Sequence, residues 1–218
     1  MVPARGMRGT CRAFGGQGWV MERIVYAAIM IATAISVART AWVVIGFLRT
    51  LTRPSASVDI KWDFPLFLLV PEIVLPAIAA LWLFYNDGAV PPYPVARELY
   101  AFLGAGLSLG GLALTVWSWR SLPSVGTGHY LLEGQPLVAS GAYAAVRHPI
   151  YAGVFLIWFG LAAAYASGVV LLLTVFYVLP AYVLYIKGEE EMMLSRYGDE
   201  YRAYRRRVGA LFPKIRRE

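Results

Sequence analysis

Thiols and imidazoles are almost missing from this chain: its 218 residues include one cysteine, Cys11, and two histidines, His129 and His148. A single cysteine excludes an intramolecular disulfide and a thiolate-ligated metal cluster. Two histidines without carboxylates at ligand spacing give no metal site. Charge is scarce as well. Asp, Glu, Lys and Arg make up only 15% of the residues, where a soluble domain carries about 25%. No phosphate-binding loop ending in Lys-Ser or Lys-Thr is present, and no Ser-His-Asp set is spaced for nucleophilic catalysis.

What fills the chain is apolar: 59% of residues are hydrophobic and 14% aromatic, a composition that belongs in a bilayer. A helix crosses the hydrocarbon with about 20 apolar residues. By that measure spans fall at Ile24–Leu48, Phe64–Tyr85, Leu99–Trp119, Ile150–Tyr165 and Val169–Ile186. The expected fold class is all-α: a polytopic membrane protein of about five transmembrane helices with a C-terminal cytoplasmic amphipathic helix. Residues 1–22, with Arg5, Arg8 and Arg12 and no acid before Glu22, read as a disordered arm, and residues 23–218 as one integral membrane domain. Pro149 suits the first position of the short fourth helix, and Ala166, Ser167 and Gly168 form a tight hairpin that makes the fourth and fifth helices neighbours. Pro65, Pro71 and Pro76 predict an irregular second span. Gly104, Gly106, Gly110 and Gly111 lie in an apolar span and allow close helix packing.

A net charge of +7 raises nucleic acid as a partner, but the basic residues sit in flanks and tail, where anionic headgroups and topology account for them. No nucleic-acid partner is expected; the bilayer is. One set of loops carries Arg5, Arg8, Arg12, Arg23 and Arg97, and the other carries Arg49, Arg53, Lys61, Arg120, Arg147, Lys187 and the arginine-rich tail. The second set is therefore expected to face the cytoplasm, together with the C-terminus.

Three groups of ionisable residues stand out. In Val146-Arg147-His148-Pro149-Ile150-Tyr151, the arginine can clamp a carboxylate or phosphate and the imidazole can bind a polar ligand or move a proton. The plainer alternatives are snorkelling of Arg147 to headgroups, a helix-start hydrogen bond for His148, and interfacial anchoring for Tyr143 and Tyr151. The run Glu189-Glu190-Glu191 sits beside a surface that repels carboxylates, so a cation or donor set must offset it. Neighbouring acids point about 100° apart on a helix, so one can face inward while the next faces water or a basic partner. Arg39 and Glu72 both fall inside expected spans, where they are expensive unless paired with each other or facing a cavity. Tyr197, Tyr201, Tyr204 and Val208 continue at helical spacing among arginines, which predicts a basic amphipathic helix along the membrane surface.

Taken together, Leu137-Val138-Ala139-Ser140-Gly141-Ala142-Tyr143, Val146 through Gly153, and Glu190-Glu191-Met192-Met193-Leu194 with Tyr197, Tyr201 and Tyr204 resemble the isoprenylcysteine carboxyl methyltransferase and phospholipid methyltransferase superfamily, over about residues 128 to 213. The resemblance implies an integral membrane enzyme that binds S-adenosylmethionine between the cytoplasmic ends of its last two spans and its C-terminal helix, in a half of the chain at about residues 121–213. It places cofactor contacts on Gln135, Pro136, Leu137, Val138, Tyr143, His148, Pro149, Ile150, Tyr151 and Glu190, with a further contact near Gly128 and His129. Arg147 and Glu191 are the candidate catalytic residues, and Arg147 and Lys187 the candidates for holding the acceptor. Members acting on prenylcysteine carry an arginine about four residues before the acidic pair; here that position is Ile186. The implied acceptor is a lipophilic small molecule or a lipidated group that enters sideways from the bilayer. Membrane sterol reductases using NADPH share a similar C-terminal half but are larger, and a non-enzymatic scaffold or transporter is the third alternative.

Overall fold

A computed structural model of the protein describes residues 15–51, 58–61, 73, 74, 77, 81, 96–122, 130–132 and 134–214. Its elements are α1 (Gly15–Leu51), β1 (Val58–Lys61), α2 (Arg97–Arg120), β2 (Tyr130–Leu132), the single turn α3 (Ala142–Ala145), α4 (Pro149–Ala164), α5 (Gly168–Leu173), a π-helical turn (Thr174–Val178) and α6 (Leu179–Arg207). The all-helical membrane architecture expected from the sequence is the one found. Among the described residues three helices are long and apolar enough to cross a bilayer, within Val20–Trp42, Arg97–Arg120 and Gly168–Arg207, and Pro149–Ala164 is a shorter apolar helix. Helix α1 starts at Gly15, so it reaches back into the segment read from the sequence as an arm. The span expected over Phe64–Tyr85 lies outside the described residues, except that Ile73, Val74, Ala77 and Leu81 are helical; its prolines, Glu72, Gly128 and His129 lie outside as well.

Among the described residues the only strands are β1 and β2, which pair antiparallel as a two-stranded ribbon with Val58 opposite Leu132 and Lys61 opposite Tyr130. The β-branched Val58 and Ile60 alternate across Asp59, a pattern suited to a short strand rather than to a helix.

Helices α2 and α4 pack most closely, and their sequences explain it. Cβ atoms added at Gly104 and Gly111 of α2 would lie 2.6 Å from the Gly160 carbonyl oxygen and 2.5 Å from the Gly153 carbonyl oxygen of α4. Only hydrogen fits at these places, so the backbones meet directly. Between lipid-solvated helices this close van der Waals contact drives association, because burying Leu against Leu gains little over burying it in lipid. Gly106 and Gly110 face open space instead. Buried Thr115 and Ser118 satisfy their hydroxyls on the carbonyls of Gly111 and Leu114 in their own helix. Helix α1 joins this pair through Val25, Ala28 and Ile29 against Ala101 and Ala105. Buried Arg39 of α1 donates to the Tyr182 hydroxyl of α6 at 3.3 Å.

The hairpin from α4 to α5 turns on Ala166, which has a φ of 44°, and on Ser167, whose hydroxyl accepts from Val170 N at 3.3 Å. Val154, Phe155, Trp158 and Leu161 of α4 then meet Val178, Ala181, Tyr182 and Tyr185 in one core. The π turn stands just before Pro180. Proline has no N–H and collides with the carbonyl one turn back, and a widened turn relieves both problems. From Gly168 to Arg207 the helix has 40 residues, about 60 Å against a hydrocarbon thickness of about 30 Å. Only the apolar part up to Ile186 fits the bilayer, and Lys187 onward lies outside. The helix then breaks at Gly198, where φ is 52° and ψ is −120°, so the amphipathic segment expected to run unbroken is a separate short helix that buries Tyr201 and Tyr204.

Candidate active site

The loop that leads into α4 is held from both sides. Gly141 takes a φ of 59° and comes so close to the Ser121 side chain that no other residue fits there. The Ser121 hydroxyl accepts from Ala142 N at 3.1 Å and donates to the Trp117 carbonyl, which fixes α3 to the end of α2. Tyr204 donates to the Tyr143 carbonyl at 2.6 Å, and Tyr197 donates to the Gln135 carbonyl at 2.9 Å, so α6 carries the segments on either side of α3. Past α3 the chain is extended. Val146 bridges to Gly209, Arg147 N donates to the Gly209 carbonyl at 2.8 Å, and His148 N donates to the Ala210 carbonyl at 3.0 Å.

Two side chains of this loop meet the acidic run of α6. Arg147 donates from Nε to Glu190 Oε1 at 2.9 Å, again from Nη2 to the same oxygen, and from Nη1 to the carbonyls of Val208 and Arg205. His148 Nε2 lies 3.2 Å from Glu190 Oε1, and Arg205 Nε lies 3.3 Å from Glu190 Oε2. Both oxygens of Glu190 are thus engaged. On the other side of the imidazole, Nδ1 lies 3.4 Å from Glu189 Oε2. That oxygen is buried and has no hydrogen-bond partner among the described residues. The His148 ring also stacks on Tyr151, with centroids 5.7 Å apart, and Tyr151 leads on to Tyr182 and Tyr185.

Electrostatics follow from this arrangement. Burial alone would lower the His148 pKa, but Glu189 and Glu190 on either side of the ring outweigh it and raise it to about 9, so the ring is cationic at neutral pH. Burial would raise Glu190, but His148 and Arg147 hold it down at about 2. Tyr143 is pushed well above an ordinary phenol by burial and by the nearby charge of Glu189. The cations therefore offset the acidic run, as the repulsion argument required.

The structure brings together Tyr143, Arg147, His148, Pro149, Tyr151 and Glu190, and it seats Gln135 against Tyr197, with Pro136, Leu137 and Val138 following on the same segment. Ile150 is half-buried in the first turn of α4. Glu191 and Lys187 are exposed on α6, away from this cluster of buried charges. Arg147, expected to hold an acceptor or to act in catalysis, spends its guanidinium on Glu190 and the tail carbonyls. Two contributors were missed by the sequence reading. Glu189 appeared there only as one member of the acidic run, and the tail residues Val208 to Ala210, which act through backbone carbonyls, carry no side-chain signal at all.

Residues 99–200 match the family model described as phospholipid methyltransferase. That segment, a little under half of the chain, is similar to the phospholipid methyltransferases, which belong to the superfamily of integral membrane methyltransferases that also holds the isoprenylcysteine carboxyl enzymes. The matched segment runs from the start of α2 through the loop and the acidic run to just past the break at Gly198; the tail that bridges to Val146 lies beyond it. The match thus begins earlier and stops sooner than the span inferred from motifs. Comparison with curated proteins gave no match.

Proposed function

We propose that this protein is a membrane methyltransferase that uses S-adenosylmethionine to methylate a lipophilic acceptor beside His148 and Glu189. The observation that carries the reading is the buried Glu189 Oε2, which makes no well-formed hydrogen bond and has only the cationic imidazole at 3.4 Å beside it. An acceptor for a cation next to a donor for an anion is what the ammonium and carboxylate of an amino-acid moiety require, and a buried oxygen left without such a partner is costly. The residues present therefore fit the cofactor. Bound there, it supplies a methyl group made electrophilic by a sulfonium centre.

The chain's own residues bind, orient and exclude water. Glu189 and the cationic imidazole beside it present a negative and a positive charge to the ligand, and Glu190 holds the imidazole in place at Nε2. The Gln135–Val138 segment, Tyr143, the Pro149–Tyr151 turn and the aromatic cluster below it surround the same region. A carboxylate acceptor needs no base. An amine or hydroxyl must lose a proton. His148, already protonated at neutral pH, does not take it. Lys187, exposed just past the apolar span, is the cation available to an anionic head, and Glu191 faces water. The excess of Lys and Arg on this face of the sequence supports a cytoplasmic site open to a soluble cofactor and, sideways, to lipid.

The test is binding followed by turnover. S-adenosylhomocysteine at a hundred times its dissociation constant should stabilise the detergent-purified protein by about 2.7 kcal/mol, and NADPH should not. His148→Ala and Glu189→Ala should lose that shift, Glu190→Ala should lose it together with part of the fold, and Arg206→Ala should keep it. Labelled methyl groups should appear in a lipid product identified by mass spectrometry. No shift with S-adenosylhomocysteine would overturn the reading.

A further inference from the structure

The segment after α6 faces two ways. Inward, the Gly209 and Ala210 carbonyls hold the N–H groups of Arg147 and His148, the Val208 carbonyl holds the Arg147 guanidinium, and Leu211 packs on the core of α4 and α6. Outward, Arg202, Arg206 and Arg207 are exposed, with Arg205 turned inward to Glu190, and Phe212, next to seated Leu211, is 81% exposed. Lys214 donates to the Arg205 and Arg206 carbonyls, which adds a cation at the helix C-terminus. Between Ser195 and Lys214 there are six basic residues against two acidic ones.

This basic, aromatic-tipped surface is tied through its tail to Arg147 and His148, immediately before the apolar helix α4 begins at Pro149, so it lies within reach of the leaflet. Arginines beside an exposed aromatic suit an interface of anionic headgroups over acyl chains. We propose that the surface docks on an anionic leaflet, and that docking seats the tail against the Arg147–His148 loop. The seven-residue stretch from Val208 to Lys214 is not helical, and ordering it costs conformational entropy. Attraction between its flanking charges and the leaflet offsets that cost. The charge of the membrane thereby sets how firmly the loop that carries His148 is held. Free phosphate offers the same anionic chemistry without a surface, and an acidic soluble protein is the competing partner.

The test uses the full chain, without cofactor, in nanodiscs of phosphatidylcholine alone or mixed with phosphatidylglycerol, and reads hydrogen exchange at the Arg147 and His148 amides. Exchange should be slower in the anionic discs, by roughly fivefold for each arginine engaged, and the difference should vanish at high salt. Arg206→Gln with Arg207→Gln should abolish the difference and Phe212→Ser should reduce it, while each variant behaves like the parent in neutral discs, which reports that it is folded. Equal exchange in the two discs, the same slowing by inorganic phosphate in neutral discs, or a difference that survives both substitutions would overturn the proposal; equal exchange would leave a soluble acidic partner for the face. Because no cofactor enters the measurement, its failure is separate from failure of the methyl-transfer reading.

Discussion

Arg147 Nε and Glu190 Oε1 meet at 2.9 Å across 43 residues of chain, with side chains only 7% and 10% exposed. Removing one partner strands the other as a buried charge, so Glu190→Ala should lower the unfolding free energy by about 3 to 5 kcal/mol. Glu189→Ala should cost less than Glu190→Ala, since Glu189 meets the imidazole only at 3.4 Å and its buried oxygen makes no well-formed hydrogen bond. Denaturation in detergent would show the two neighbours to be unequal; equal losses would refute the division of roles.

Acidity should act through the same cluster. His148 has an ordinary pKa of 6.5 and about 9 in the fold, so its contribution is complete below 6.5 and is lost as pH rises through 9. Glu190 moves from 4.5 to about 2, so its contribution is complete above 4.5 and is lost as pH falls toward 2. Thermal stability should decline between pH 6.5 and 9, and His148→Gln should flatten that decline. NMR titration of the imidazole would locate the midpoint directly.

Helix contact predicts a contrast among glycines. Gly160→Val pushes two methyl groups into Ser108 and the Gly104 carbonyl, and should cost about 1 to 3 kcal/mol or more by overpacking. Gly106→Ala meets nothing within 4 Å and should be stabilising by up to about 1 kcal/mol through helix propensity. Comparing their melting temperatures decides whether α2 and α4 touch as described.

Backbone conformation predicts a loss where there is ample space. Gly198 has nothing near its missing Cβ, yet its φ of 52° and ψ of −120° suit glycine alone. Gly198→Ala should cost about 1 to 3 kcal/mol and weaken the hydrogen bond from Tyr204 to Tyr143 by straightening the helix. Retention of full stability would mean that the break is not needed.

The meeting of the acidic run with His148 was implied by the family resemblance, whereas three of the spans, the α4 start at Pro149 and the hairpin at Ser167 could be read from residue types and spacing. Those features depend on local chemistry: apolar length, a proline that lacks a donor, a hydroxyl that caps. Of the four glycines in α2, only Gly104 and Gly111 meet α4, because facing is a property of the assembled pair. The tail was illegible for a similar reason. Gly209 and Ala210 act through carbonyls that every residue owns, and their partners lie about 60 positions away. Val58 and Ile60 hinted at the ribbon by alternation, too briefly to stand out in an apolar chain. The choice between Glu189 and Glu190 needed the rotational phase of α6, which spacing alone leaves open.

That phase is decided well upstream. The widened turn at Thr174–Val178 inserts a residue's worth of rotation, about 100°, before Pro180 and everything after it. Without the insertion each downstream carboxylate would swing by one place around the axis, and the acid now aimed at the imidazole would exchange its station with a neighbour. The lone proline in the final membrane helix thus works like the indexing pin of a dial: it selects, from three chemically identical glutamates, the one that holds the arginine.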